Sequence, residues 1–470
     1  MRPKNHGVST AQFAVASERT LAEPATSRDG GFFGHPTGLL YLAGAEFGER
    51  LSYTGMQALL ILYMVESLLL PGHVEKVVGF VPFRALMEAV TGPLSTQALA
   101  SQIFGLYVGL ISLTPVLGGI LGDRLLGRRR TVTLGALLMT AGHFCMAFDA
   151  SFLIALLLLV VGSGALSGNI VSQVGDLYVK DDKRRESGFQ IYFGLLNAAA
   201  FVAPLITGEL SQAYGWHYGF GFAGFGMLAG LLVYLSGTRH LPPDTPKGPS
   251  AVQAPLTVRQ RRVVVVIVLM LPIFALFWIA QSQVWNTYNI WVRNSVDLTI
   301  AGRKIPVAWL QAFDGLAAVA VVPPILWFWR YQAARAREQD DFTKLAIGSL
   351  VFGLALTWLA ASQLVVHPLG KVPLVWALAF HLLSSVGWVY FAPTVTAVIS
   401  RAAPAQINAF MIGLYYVSVF IGCTVTGRLG GLYERLQSAQ FWLMHAALVA
   451  GGGILILLLA PRLRRELAPE

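Results

Sequence analysis

The chain has 470 residues, 55% hydrophobic and only 12% charged, about half the charged share of an ordinary soluble domain. That balance excludes a cytosolic enzyme, and at about 20 apolar residues per crossing it allows roughly a dozen membrane spans with short connections. The net charge of +10 is no argument for nucleic acid, because membrane proteins collect Lys and Arg in the loops on one side for topological reasons.

In chain order, residues 1–36 show no apolar core or small-residue cleavage site of a signal peptide and read as a tail. Apolar runs then fall at about 37–70, 96–122, 129–149, 151–176, 186–208, 217–237, 261–293, 306–329, 342–363, 372–400, 405–430 and 436–461, which predicts twelve transmembrane helices. The stretch 238–260 holds five prolines and no apolar run, so it reads as a linker between six-helix halves at 37–237 and 261–461, with a tail at 462–470. The expectation is an all-α membrane protein with two six-helix halves around a midplane cavity, a plan in which rocking the halves exposes a central site to each side in turn.

Basic residues set the sidedness. One set of alternate connections carries Lys76, Arg84, Arg293, Arg303, Lys304, Lys371 and Arg435; the other carries three times as many, in clusters such as Arg124/Arg128/Arg129/Arg130 and Lys180/Lys183/Arg184/Arg185. Both termini are therefore expected in the cytoplasm, with the chain in the inner membrane. Cys145 and Cys423 lie far apart in apolar runs and read as packing residues, with no disulfide framework and no metal spacing. No cofactor is expected.

The first span holds the sharpest functional signal, because ionisable groups inside a membrane helix are costly and mark function by default. At 100° per residue, Glu46, Glu49, Arg50, Tyr53 and Gln57 fall within an arc of about 100° on one helix face. One guanidinium is thus shared by two acids, and a proton can take its place when a moving helix or an arriving solute draws the cation away. The competing structural reading is a static ion pair that holds the bundle together.

Two motifs carry resemblances. Gly119-Ile-Leu-Gly-Asp123-Arg124-Leu-Leu-Gly127-Arg128-Arg129-Arg130, after the second span, resembles the loop motif of the major facilitator superfamily, in which a tight glycine turn brings Asp123 near Arg124 and Arg128 and biases one conformational state. Glu46-Phe-Gly-Glu49-Arg50-Leu-Ser-Tyr53-Thr-Gly55-Met56 resembles the opening of the proton-dependent oligopeptide transporter family. The similarity continues through Leu113-Thr-Pro115-Val-Leu-Gly-Gly, Asp182-Lys-Arg-Arg185-Glu-Ser-Gly188-Phe189 and Gly215-Trp216-His217-Tyr218-Gly219-Phe220.

That resemblance implies proton coupling by Glu46, Glu49 and Arg50, a pocket role for Tyr53, and a contact from Asn197 to a peptide backbone. Other positions depart from the family pattern: Gln57 stands for an Arg, Ser167 for a Lys, and Ser282 and Trp388 for acids, while Asp314 stands where a neutral amide is usual. These seven, Tyr53, Gln57, Ser167, Asn197, Ser282, Asp314 and Trp388, are expected to line the solute cavity. A cavity without the charged clamp should select against peptides with two free charged termini, whose burial needs partners. The expected partners are protons, a small peptide or peptide-like solute, and lipid. A carrier or exporter of a non-peptide or modified peptide, and a receptor that keeps the fold without transport, stay open as alternatives. No nucleophile elbow, HExxH or phosphate loop supports a membrane enzyme.

Overall fold

The computed structural model describes residues 31–179, 182–243 and 255–467. Most of the predicted amino-terminal tail, the middle of the linker 238–260, the basic residues Lys180 and Lys247 and the last three residues lie outside them.

The helices are α1 (Gly38–Tyr63), α2 (Phe80–Thr91), α3 (Thr96–Leu121), α4 (Arg128–Cys145), α5 (Phe152–Asp176), α6 (Arg184–Tyr214), α7 (Trp216–Ser236), α8 (Val258–Gln281), α9 (Thr287–Ser295), α10 (Ala308–Ala334), α11 (Asp341–Ala361), α12 (Leu374–Ala402), α13 (Asn408–Gly430) and α14 (Ser438–Glu466). With α8 and α9 forming one broken span and the short α2 set aside, these are the twelve expected. Among the described residues, ten spans are long and apolar enough to cross a membrane by composition alone. The other two are α1, diluted by Glu46, Glu49, Arg50 and Gln57, and α4, which opens on Arg128, Arg129 and Arg130.

Three features depart from the sequence reading. The seventh span is not continuous: after Gln281 a 3₁₀ turn over Ser282–Val284 breaks the helix before α9 begins at Thr287. Polar side chains make the break possible within the membrane by supplying partners to the loosened backbone. Gln311 donates to the Val284 carbonyl at 2.7 Å and to Asn289 Oδ1 at 2.5 Å, and Asn286 donates to the Ser101 carbonyl at 3.3 Å. A surface helix, α2, was not expected; its Pro82 falls in the first turn, where no intrahelical bond is lost. A small antiparallel hairpin, Thr299–Ile300 against Arg303–Lys304, precedes α10.

The apolar core is divided. One cluster is drawn almost wholly from α1 and α3–α7 and another from α8–α14, so each six-helix half buries its own centre. Across the halves, α3 packs on α13 and α6 on α10. Glycine sets the closest of these approaches: a Cβ on Gly105 of α3 would lie 2.3 Å from the Cys423 carbonyl of α13. Small residues let backbones meet where lipid supplies no hydrophobic drive.

Because the number of spans is even, α1 starts and α14 ends on one face, here the terminal face; the opposite face is the far face. Polar contacts between the halves cluster toward the far face. Glu66, at the end of α1, pairs with Arg293 of α9, and Glu209 of α6 pairs with Arg303 of the hairpin. Gln212 donates to the Lys304 carbonyl at 2.8 Å, and the Trp309 indole donates to the Leu205 carbonyl at 3.2 Å. The molecule is therefore closed at the far end.

Candidate functional site

A cavity of about 950 Å³ opens between the halves on the terminal side of this seal. Glu49, Arg50 and Tyr53 line it from α1, Ser112, Pro115 and Gly119 from α3, Ser163 and Ser167 from α5, and Phe410, Gly413 and Tyr416 from α13. Asp123 and Arg124 stand in the same wall, which places the loop motif at the mouth of the cavity.

The acid–arginine cluster forms as its helical spacing requires. Arg50 Nη2 lies 3.8 Å from Glu46 Oε1, one turn below, and Arg50 Nε lies 3.7 Å from Glu49 Oε2. Both Glu residues are only 2% exposed, whereas the Arg50 side chain is 31% exposed. The distances are those of ion pairs without tight hydrogen bonds. Among the described residues Glu49 Oε2 has no close hydrogen-bond partner, and the Tyr192 hydroxyl of α6 lies beside the Glu46 carboxylate. Two buried acids against one guanidinium leave a unit of negative charge, and a buried charge without a partner is expensive. The arrangement can close that deficit with a single proton.

The loop motif is held by charge within the first half. Arg128 Nε donates to Asp123 Oδ1 at 2.9 Å, and the same guanidinium pairs with Asp176 at the end of α5. Gly127 turns the chain at φ +80°, in the left-handed region that favours glycine. Behind the turn, Asn169 donates to the Gly118 and Ala165 carbonyls at 2.8 and 2.9 Å and locks α5 to α3.

A second cavity, of about 200 Å³, lies in the second half, where Gln281, Asp314, Phe352, Ser384, Ser385 and Trp388 contribute to its wall. Asp314 is not alone there. His381 of α12 approaches its Oδ1 with Nδ1 at 2.8 Å and is itself fully buried.

The structure thus brings Tyr53 and Ser167 to the larger cavity and Asp314 and Trp388 to the smaller one. It brings three other expected lining residues to neither. Gln57 is one turn past Tyr53 toward the sealed far end and is buried there. Ser282 is buried in the seventh-span break, its hydroxyl 3.1 Å from Cys423 Sγ. Asn197 is exposed on α6, beside the Tyr192, Leu196 and Ala199 stripe that packs into the first half. Helical angle alone placed Gln57 with the acids; depth along the helix removed it.

Sequence reasoning missed His381, Glu66 and Glu209. Their partners stand 67 to 227 positions away, Arg293 from Glu66 being the most distant, and no local pattern announces such pairs. Among the described residues no group of three or more His, Cys, Asp and Glu is arranged to hold a metal ion.

Twelve helices in two halves, with a polar cavity between them sealed at one end, define a membrane protein of the major facilitator class. The sequence matches the family model PTR2, described as the POT family, over residues 129–258 and 251–443. It is 30% identical to a di-/tripeptide transporter of Lactococcus lactis subsp. lactis (strain IL1403), covering 89% of this chain and 81% of that protein. It is 27% identical to the peptide transporter YePEPT of Yersinia enterocolitica subsp. palearctica, covering 93% and 97% of the two chains. A crystal structure of a mutant of the peptide transporter POT in complex with alafosfalin superposes with a TM-score of 0.83 at 26% identity, over 94% of this chain and 98% of that one. The chain belongs to the POT family of transporters and is not an enzyme.

Proposed function

We propose that this protein is a proton-coupled carrier of small peptide-like solutes in the inner membrane, with both termini in the cytoplasm, working by alternating access of the cavity. One observation carries the reading: two buried acids share one guanidinium in the wall of a cavity that is sealed at one end and open at the other. With the cavity open on the terminal face, Arg50 neutralises one acid and a proton neutralises the other. When the solute draws Arg50 into the cavity, both acids need a proton to remain buried, so proton uptake and solute binding become linked. Glu46 and Glu49 are the titrating groups, Arg50 their switchable partner, Tyr53 and Ser167 solute contacts in the larger cavity, and Asp314 and Trp388 solute contacts in the smaller. Asp123, Arg124 and Arg128 bias the conformational equilibrium. The names of relatives in Lactococcus and Yersinia support the peptide-like class.

A modified or end-blocked peptide fits this chain better than an ordinary dipeptide. The cations that line the larger cavity are Arg50, already engaged by two acids, and Arg124 at the mouth; the remaining charged lining is acidic.

Proteoliposomes test the coupling. A solute identified by thermal-shift screening should accumulate only under an inward proton gradient, and Glu49→Gln should abolish accumulation while sparing counterflow, which needs alternating access but no net proton movement. Normal accumulation in that variant refutes the assignment.

A further inference from the structure

The start of α8 and the end of α14 form a basic patch on the terminal face that neither cavity uses. Arg259, Arg261 and Arg262 open α8, Arg462, Arg464 and Arg465 close α14, and all six are exposed. The two helix ends are neighbours, with Arg262 Nη1 3.8 Å from Glu466 Oε2, and a Cβ on Gly452 of α14 would lie 3.2 Å from Leu276 Cβ of α8. Arg464 is taken up by Asp340 of α11. Among the described residues no acid pairs with Arg261, Arg462 or Arg465, whereas Arg128, Arg184 and Arg401 on the same face each meet an aspartate. A capping box between Thr257 and Gln260 fixes the first turn of α8, so its arginines are carried on ordered helix.

We propose that the outer face of the α8–α14 pair is a docking surface for an anionic phospholipid of the leaflet at the terminal face, its phosphate between Arg261 and Arg465 and its acyl chains along the apolar side chains beneath them.

Helical geometry and charge select this occupant. At 100° per residue, Arg261 falls within an arc of about 100° with Val265, Val268 and Leu269, and Arg465 within a similar arc with Ile454, Leu457 and Leu458. All six of these apolar side chains are exposed, so each arginine stands at the head of a stripe that faces hydrocarbon. At 1.5 Å per residue the stripes reach about 12 to 16 Å below the guanidinium groups, close to the depth of one leaflet of a 30 Å core. An arginine so placed lays its stem on apolar surface and holds its charged head at the level of the headgroups. Its planar fork pairs with phosphate oxygens in bidentate fashion. A soluble phosphate would meet the arginines and leave the stripes uncovered; a phospholipid covers both. A choline headgroup brings its own cation toward three guanidinium groups that have no acid, so a lipid of net negative charge fits better.

This surface is independent of the carried solute and of proton coupling, so its test needs neither. Phosphatidylglycerol and phosphatidylcholine with the same acyl chains are titrated onto the purified full-length protein in a neutral detergent, with glycerol 3-phosphate, a phosphate without chains, as a third probe. Native mass spectrometry reads the affinity for the first molecule bound. Phosphatidylglycerol should bind about tenfold or more tighter than phosphatidylcholine, and glycerol 3-phosphate far more weakly than either. Arg261→Gln combined with Arg465→Gln should weaken phosphatidylglycerol binding by about tenfold or more. Arg330→Gln combined with Arg337→Gln removes the same charge from the same face near the end of α10 and should leave the affinity unchanged. Arg465→Gln alone, with an expected loss of about fivefold, carries the test if the double variant fails to fold. Equal binding of the two lipids, glycerol 3-phosphate binding as tight as phosphatidylglycerol, undiminished affinity in the Arg261/Arg465 variants, or an equal loss in the α10 variant overturns the proposal.

Discussion

Glu66, in the π-helical turn that ends α1, and Arg293, in the last turn of α9, form an ion pair that ties the first half of the molecule to the second at the far face. A partner pair, Glu209 and Arg303, does the same from α6 to the hairpin before α10. In the proposed alternating-access cycle both must part for the cavity to open on that side, so they stabilise the closed far face.

A charge swap therefore has a defined outcome. Partly exposed pairs contribute about 1 kcal/mol, which is roughly a fivefold shift between two states. In a variant with Cys145 and Cys423 replaced by Ser and a reporter placed by Ser112→Cys in the cavity wall, Arg293→Glu should raise labelling from the far side about fivefold. Glu66→Arg combined with Arg293→Glu should return it toward the starting value. Unchanged labelling in the single variant would show that the pair does not hold the gate.

Arg50 contacts the two acids with different nitrogens, Nη2 toward Glu46 and Nε toward Glu49, a spread that only a guanidinium provides. Arg50→Lys keeps the charge but offers a single ammonium. Gradient-driven uptake should fall at least tenfold while the thermal unfolding temperature of the purified protein changes little. Uptake at the original rate would mean that charge alone, without the shared geometry, serves the coupling.

Ser167 lines the larger cavity with an uncharged hydroxyl, which offers no charge partner to a free carboxylate. Dialanine should give no thermal stabilisation of the unaltered protein, and Ser167→Lys should create a measurable shift. Stabilisation of the unaltered protein by dialanine would contradict the preference for end-blocked solutes.

Asp340 caps α11, accepting from the Phe342 and Thr343 amides at 3.1 and 3.4 Å, and Arg464 of α14 grips both its oxygens at 3.1 and 2.7 Å. Burial alone would raise its carboxyl pKa, but the Thr343 hydroxyl and the Arg464 guanidinium outweigh it and hold the group below the usual carboxylate value. A lowered folded-state value means that the charge stabilises the fold above the unfolded value of about 3.9 and loses that contribution as pH falls through the folded value. Asn caps helices as well as Asp does, so Asp340→Asn removes the charge attraction and spares the cap. It should lower stability by less than about 1 kcal/mol at neutral pH. Thermal unfolding should show the difference shrinking below about pH 4, whereas a constant difference would assign it to packing.

Much of this molecule is written locally. The twelve spans follow from apolar runs long enough to cross a bilayer, because hydrocarbon tolerates only backbone that satisfies its own hydrogen bonds. The clustering of Glu46, Glu49 and Arg50 follows from the 3.6-residue turn, which puts i and i+4 on one face whatever surrounds them. Asp123 and Arg128 meet because five positions and a glycine turn separate them.

Depth and partnership were decided only by the tertiary structure. Gln57 shares a helix face with Tyr53 but lies a turn nearer the seal, and whether a face meets water or protein depends on where the halves close. Asp314 was legible as an acid out of place; its partner His381 was not, because their contact exists only when α12 lies against α10. Glu66 and Glu209 meet their partners Arg293 and Arg303 only because the fold brings the two halves together. Local periodicity fixes what each helix presents, while the pairing of groups distant in the chain depends on how the two halves meet, and that contact is a property of the packed bundle.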